Sequence, residues 1–343
     1  VLVVTSDVPF VAGGHRVIAD ELVSALKRRG HFAEKVTTPQ NPFGRQFAAY
    51  LANWSTDVSE AGDGGPVDRV VSLRYPSYAV RHPHHVCWLN HRMREYYDLW
   101  PAFKKRLSRK GVVKESMRRF LIHRADRYFL TRNVTKLYAQ SKTIAAGLRE
   151  FGDIPSEVLY PPPPERAYRN SGNEPFVFAV SRLHPLKRLD LLVKAMAKVR
   201  SKELRAVIAG EGEEEESLKR LASEAGVSDR IDFVGRITDD ELVDYYARCR
   251  GVFFAPFMED YGFVTMEAFR SGKPVLTCMD SGGPAEIVSL GRSGYVLLPE
   301  PFQIAQQLDV WAENPELAAR MGANGEADVR AVQWEACVDK LLS

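Results

Sequence analysis

Short apolar runs alternate with amphipathic stretches along most of this chain. In the second half the runs 176–180, 204–209, 231–234, 251–255, 274–277 and 295–298 are four to six residues long, the length of a strand buried on both faces. Between them Leu189, Leu192, Val193, Met196, Ala197 and Val199 recur at helical spacing. Leu242, Tyr245 and Tyr246 do the same after Thr238-Asp239-Asp240, residue types that accept the unpaired N–H groups of a helix start. Strands that alternate with helices predict a parallel sheet, because each crossover helix returns the chain to the same end.

The first half is less regular but similar. A strand at 1–5 leads to a Gly13-Gly14 turn and a helix to about Arg28, followed by strands at 32–36, 67–73 and 86–89, a long helix near 112–133 and a strand at 137–140. Residues 39–65, rich in Gly, Asn, Pro and Ser, predict a mobile insertion. No short-period repeat is present. The run Tyr160-Pro161-Pro162-Pro163-Pro164-Glu165 cannot form helix and offers no ladder donors, so it predicts a stiff linker. The expected lobes are 1–165 and 166–343, with the last helix packing back on the first lobe.

At 343 residues and 45% hydrophobic, the chain is long enough for two cores. No apolar run approaches the roughly 20 residues a membrane span needs, and the opening residues read as a strand rather than a signal peptide. Cys87, Cys249, Cys278 and Cys337 lie far apart with no Cys-x-x-Cys, which predicts neither a zinc knuckle nor a disulfide framework and points to a reducing cytoplasm. The net charge of +3 hides an asymmetry: residues 1–165 hold 25 basic and 16 acidic residues, the remainder 22 and 28. Much of the excess lies in 104–132, with eleven basic residues against Glu115 and Asp126. Two readings of that stretch stay open, a solvated helix face and a peripheral contact with an anionic membrane surface. No nucleic-acid partner is expected.

Ligands of open parallel sheets sit at the C-terminal ends of strands. After 176–180 come Arg182, at the strand end, and Lys187, at the entry of the next helix, where a cation opposes the helix dipole unless an anion is bound. After 251–255 comes Glu259, and eight residues on, inside an apolar helix, Glu267. Its neighbours Val264, Met266, Ala268 and Phe269 place that carboxylate in a packed environment, where it needs a partner. A pair of carboxylates around a helix N-terminus suits a sugar nucleotide, with hydroxyls for the acids and a diphosphate for the free N–H groups. Gly13-Gly14 admits close approach of backbone to a phosphate, and Ser281-Gly282-Gly283-Pro284-Ala285-Glu286 either lines the same crevice or simply joins a strand to a helix. Gly210-Glu211-Gly212 is followed by acids that repel pyrophosphate, so no dinucleotide fingerprint is present. His82, His84, His85 and His91 crowd one segment, but Pro83 disrupts regular spacing and no acidic ligand is near, so no metal is expected. His91, just past the strand 86–89, reads either as a residue of the crevice or as a hydrogen-bonded structural histidine.

Gly13-Gly14, Ser181-Arg182-Leu183 with Lys187, Glu259-x7-Glu267 around Tyr261-Gly262-Phe263, and Gly282-Gly283-Pro284-Ala285-Glu286 together resemble the retaining glycosyltransferases of family four, over nearly the whole chain and most strongly at 176–298. The resemblance implies an α/β protein of two facing Rossmann-like lobes with parallel sheets, the GT-B architecture, that moves a hexose from a UDP- or GDP-sugar to a glycan, lipid-linked or small-molecule acceptor. It implies that Arg182 and Lys187 neutralise the donor diphosphate, Glu267 binds ribose hydroxyls and Glu259 contacts the donor sugar. Backbone at Gly262, Phe263 and Val264 would add N–H groups, Gly13 and Gly14 would close over the diphosphate, Gly235 and Arg236 would edge the base, and His91 would sit near the sugar. No cofactor and no metal are implied. Retention implies front-face attack, with the leaving phosphate oxygen taking the acceptor's proton. A sugar-nucleotide epimerase on the same scaffold and a non-catalytic sugar or lipid-head-group binding protein are the alternatives; a nicotinamide dehydrogenase ranks last because its glycine fingerprint is absent.

Overall fold

The computed structural model describes residues 1–7, 14–40 and 44–343, with Gly14 and His15 as backbone only. The chain divides into two compact units, Val1–Pro164 with Val332–Ser343, and Glu165–Ala331. Among the described residues each unit holds one six-stranded parallel sheet. The first contains β1 Leu2–Asp7, β2 Glu34–Pro39, β3 Val70–Ser72, β4 His85–Leu89, β5 Lys136–Ala139 and β6 Glu157–Val158, in the order β2-β1-β3-β4-β5-β6. The second contains β7 Phe176–Val180, β8 Arg205–Ala209, β9 Ile231–Gly235, β10 Gly251–Phe253, β11 Val275–Cys278 and β12 Gly294–Leu297, in the order β12-β11-β10-β7-β8-β9. In that second sheet the chain runs outward from β7 to β9, then returns to β10 on the other side of β7. The order therefore reverses between β7 and β10, and a doubly wound sheet opens its crevice at such a point.

The apolar runs form these strands because helices cover both faces. Val177, Ala179, Ile208, Phe253 and Leu276 are buried among Leu192, Met196, Leu308 and Trp311 of the covering helices. Thr238 caps the helix Asp239–Arg248 with a full capping box, its hydroxyl accepting from the Glu241 N–H while the Glu241 carboxylate accepts from the Thr238 N–H.

The insertion expected at 39–65 contains a helix, Gln46–Trp54. Its buried positions Gln46, Ala49, Tyr50 and Asn53 keep a helical period, but two of the four are amides, so the apolar signal is absent. Asn53 is held by donation to the carbonyls of Ala49 (2.8 Å) and Pro39 (3.2 Å). The long helix runs Arg109–Tyr128 and ends in a π-helical turn, Phe129–Asn133. The proline run is buried rather than an exposed tether, and the last helix, Trp334–Leu342, belongs to the first unit. There the Trp334 indole N–H donates to the Pro163 carbonyl (3.2 Å), its ring meets Trp88 edge to face, and the Tyr138 hydroxyl donates to the Lys340 carbonyl (2.9 Å). In the second unit Lys273 is fully buried and donates to the side-chain oxygens of Asn170 (2.8 Å) and Asn173 (3.3 Å) and to the Gly172 carbonyl, fixing the segment that enters β7. Among the described residues no helix is long and apolar enough to cross a membrane.

Candidate functional site

The second unit gathers its chemistry where the strand order reverses. The chain after β7 turns through Pro185–Lys187, and the chain after β10 forms the loop 256–262 before the helix Phe263–Arg270. The Lys187 Nζ donates to the Glu259 carboxylate at 2.7 Å, so the two loops are joined by an ion pair of partly buried groups. The dipole conflict expected of Lys187 is thus answered here by Glu259. Arg182 is exposed and has no hydrogen bond or ion pair among the described residues.

Backbone holds this loop in place. Phe257 N–H donates to Leu186 O (2.7 Å), Met258 N–H to Asp280 O (2.9 Å), Glu259 N–H to Ser281 O (2.9 Å), and Gly283 N–H returns to Glu259 O (2.8 Å). Two glycines are required by this lacing. Gly282 has φ of 71°, and a Cβ there would lie 2.4 Å from the Glu259 carbonyl oxygen; Gly262 has φ of 84°, and a Cβ there would lie 2.6 Å from the Phe254 ring. Gly262 also caps the helix Phe263–Arg270, whose first N–H groups, those of Phe263 and Val264, have no acceptor within the helix. The pair Gly282-Gly283 therefore packs against the loop that carries Glu259.

Glu267, in the middle of that helix, is 6% exposed. Burial raises its pKa, and the Arg166 guanidinium (2.7 Å) and the hydroxyls of Tyr246 (2.9 Å) and Tyr168 (3.5 Å) oppose that rise. Arg166 also pairs with Asp239 at 3.0 Å. The partner that the sequence demanded for Glu267 is an arginine 101 residues away, just beyond the proline run.

Arg188 is a further residue that the sequence did not single out. Held in the left-handed region with φ of 51°, it grips Asp280 through two guanidinium nitrogens at 2.7 Å and donates to the carbonyls of Ala255 (2.8 Å) and Pro256 (2.9 Å). It ties the end of β10 to the loop after β11. Nothing in the run Arg182, Lys187, Arg188 tells from sequence which cation faces solvent, which meets a carboxylate and which braces backbone.

The remaining expected residues lie apart. Gly235 ends β9 with its carbonyl accepting from Gly210 N–H (2.7 Å), and Arg236 beside it is exposed without a polar partner among the described residues. His91 lies in the first unit, two residues past β4. Its Nδ1–H donates to the Arg92 carbonyl at 2.7 Å, since a carbonyl only accepts. Gly14 opens the helix Gly14–Arg28, and Gly13 lies outside the described residues. Two other histidines of that segment serve the fold: His82 meets the Val67 carbonyl at 2.8 Å, and His85, with a pKa lowered to about 4 by burial, meets the Ser72 hydroxyl at 2.8 Å, while His84 is exposed. Among the described residues no group of three or more His, Cys, Asp or Glu side chains is placed to hold a metal ion.

Residues 165–328 match the family Glycosyl transferases group 1. A GDP-mannose-dependent α-(1-6)-phosphatidylinositol monomannoside mannosyltransferase of Mycobacterium tuberculosis is 34% identical over 183 residues, covering 50% of this chain and 47% of that protein. The chain spans about half the length, or less, of the curated relatives it matches. Among solved structures, the sucrose-phosphate synthase of Thermosynechococcus elongatus superposes with a TM-score of 0.77 at 19% identity over 99% of this chain and 97% of that one. The Anabaena Alr3699/HepE protein, solved with UDP and glucose, gives 0.71 at 17% identity over 99% of both chains. At these identities the structural likeness speaks to fold. The two parallel-sheet units share the fold of these solved structures, and within the second unit residues 165–328 match Glycosyl transferases group 1.

Proposed function

We propose that the protein is a retaining glycosyltransferase that moves a hexose from a nucleoside-diphosphate sugar to a glycan, lipid-linked or small-molecule acceptor. The observation that carries this reading is the Lys187–Glu259 pair at the reversal of strand order, beside a helix start whose N–H groups are open and in front of the braced Glu267. A cation, an acid and an unpaired helix N-terminus are what a diphosphate joined to a sugar would use. In this reading Lys187 and Arg182 meet the diphosphate, Phe263 and Val264 add backbone N–H groups, Glu259 takes a sugar hydroxyl and Glu267 takes ribose hydroxyls. The family match of this unit and the mannosyltransferase relative support glycosyl transfer. The bond from the anomeric carbon to the diphosphate breaks, the acceptor oxygen bonds to the same face of that carbon, and its proton passes to the departing phosphate oxygen. Lys187 lowers the barrier because its charge meets the charge that develops on the leaving group.

A thermal-shift panel of UDP, GDP, ADP and their sugars tests the donor, since a ligand of the native state raises stability with the logarithm of its saturation. One nucleoside diphosphate is expected to raise Tm, and its sugar to be consumed when acceptor is added. No shift from any of them removes the reading; turnover of the sugar nucleotide without acceptor points to an epimerase. Because the charge stabilisation comes from protein cations, transfer is expected to persist in excess chelator. Activity lost in chelator and restored by Mg2+ or Mn2+ contradicts that part of the reading.

A further inference from the structure

The helix Arg109–Tyr128 is turned inside out. Its inward side carries two carboxylates, Glu115 and Asp126, with Ile122. Its outward side carries Val113, Met117, Phe120, Leu121 and Tyr128, each between 44% and 66% exposed. Steps of four from Val113 to Met117, three and four on to Phe120 and Leu121, and seven from Leu121 to Tyr128 set them along one side of the helix. Leu51, 67% exposed on the helix Gln46–Trp54, extends that surface. An apolar stripe left in water on a helix that buries its acids is the reverse of what folding alone selects.

The stripe ends in two adjoining shallow surface cavities, wide open to solvent, that share Tyr128. One, of about 340 Å3, is walled by Tyr50, Leu51, Trp54, Tyr128 and Phe129. The other, of about 360 Å3, is lined by Arg124, Arg127, Tyr128, Thr131 and Arg132. No carboxylate lines either, and Arg124, Arg127 and Arg132 form no ion pair among the described residues. Of the eleven basic residues in 104–132, Arg118 and Arg119 turn inward, to Glu115 at 2.6 Å and to the Tyr96 carbonyl at 2.8 Å. Both acids of the segment are buried, so every exposed charge that residues 104–132 themselves present is cationic.

We propose that this face docks the protein on an anionic phospholipid bilayer, with one lipid chain in the aromatic cavity and that lipid's phosphate on Arg124, Arg127 and Arg132. Charge complementarity selects this occupant. A protein partner for so cationic a rim would have to bring its own acids to flank an apolar stripe, whereas a bilayer presents phosphate and hydrocarbon at the spacing of one head group. Apolar side chains then give depth of insertion, and the cations give preference for anionic lipid. The proposal concerns the first unit alone and does not depend on the donor reading.

Flotation of the intact chain with vesicles of phosphatidylglycerol and phosphatidylcholine, or of phosphatidylcholine alone, tests it in the absence of any sugar nucleotide. Binding is expected only with the anionic lipid and is expected to weaken in high salt. Arg127→Gln with Arg132→Gln is expected to lower partitioning roughly thirtyfold. Met117→Ser with Phe120→Ser, at exposed positions that do not threaten folding, is expected to abolish it. Lipids brominated on the acyl chain should quench tryptophan fluorescence, and Trp54→Phe should remove that quenching. The proposal is overturned by absence of binding to the anionic vesicles, by binding that survives the Met117/Phe120 pair, or by self-association that the same pair abolishes in place of lipid binding.

Discussion

Lys187→Ala is expected to weaken binding of a nucleoside diphosphate by on the order of 10- to 150-fold, the loss of a charge-assisted hydrogen bond, while leaving the free nucleoside unchanged. In the proposed role the same change is expected to lower kcat by about 100- to 1,000-fold, because the lysine would act on charge that grows as the diphosphate leaves. In the structure Lys187 is spent on Glu259 at 2.7 Å, so a diphosphate bound at the proposed site would compete with a carboxylate for it. Glu259→Gln provides the opposite arm: with the competing charge gone, diphosphate alone should bind at least as tightly as in the wild type, while transfer of the sugar falls. Isothermal titration with nucleoside, nucleoside diphosphate and sugar nucleotide separates the cases. A pair that merely ties two loops together predicts equal losses for nucleoside and diphosphate in both variants, with a lowered Tm, and that result removes Lys187 from the diphosphate.

The sheets were legible because their strands are buried on both faces, so that Phe176–Val180 and Arg205–Ala209 read as continuous apolar runs. β6 was not, since it is two exposed residues, Glu157 and Val158, held by one neighbour. Helix Gln46–Trp54 escaped for a different reason: the amides Gln46 and Asn53 occupy core positions, Gln46 donating to the distant Tyr96 hydroxyl at 3.3 Å and Asn53 to the Ala49 carbonyl one turn back, which deletes half of the apolar period. In the candidate site, Lys187 and Glu259 could be found because topology sends strand ends to the crevice. What could not be found is which charge meets which. Arg166 reaches Glu267 across 101 residues, and Arg188 reaches Asp280 across 92, through side chains whose directions depend on a left-handed residue and on loop backbone. Residue type and local spacing carry no record of such pairings. The exposed stripe of helix Arg109–Tyr128 is the converse case, since its apolar residues stand in the sequence but only the fold shows that they face solvent.

Asp126→Ala is expected to destabilise the first unit by about 3 kcal/mol or more, since three buried hydroxyls are left without an acceptor at roughly 1–3 kcal/mol each. The Asp126 carboxylate is fully buried and accepts from three tyrosine hydroxyls, those of Tyr50, Tyr78 and Tyr97, the last at 2.6 Å. Each of those hydroxyls loses its acceptor in the alanine variant, and none gains water in exchange. The pH dependence has a definite sign. Burial pushes the Asp126 pKa above the usual carboxylate range, against the pull of the three hydroxyls and of Arg92. The native state then holds the proton more tightly than the unfolded chain. This group favours folding while it is protonated, and that contribution is lost as pH rises from the unfolded value, about 3.9, through the raised native one. The stability of the wild type relative to Asp126→Asn, which does not titrate, should therefore fall over that window. Urea denaturation followed by tryptophan fluorescence reads this unit, because Trp54, Trp88, Trp100 and Trp334 lie in it and Trp311 in the other. A difference that grows with rising pH, or an alanine variant as stable as the wild type, shows that the carboxylate is charged and solvated rather than the buried centre of this tyrosine cluster.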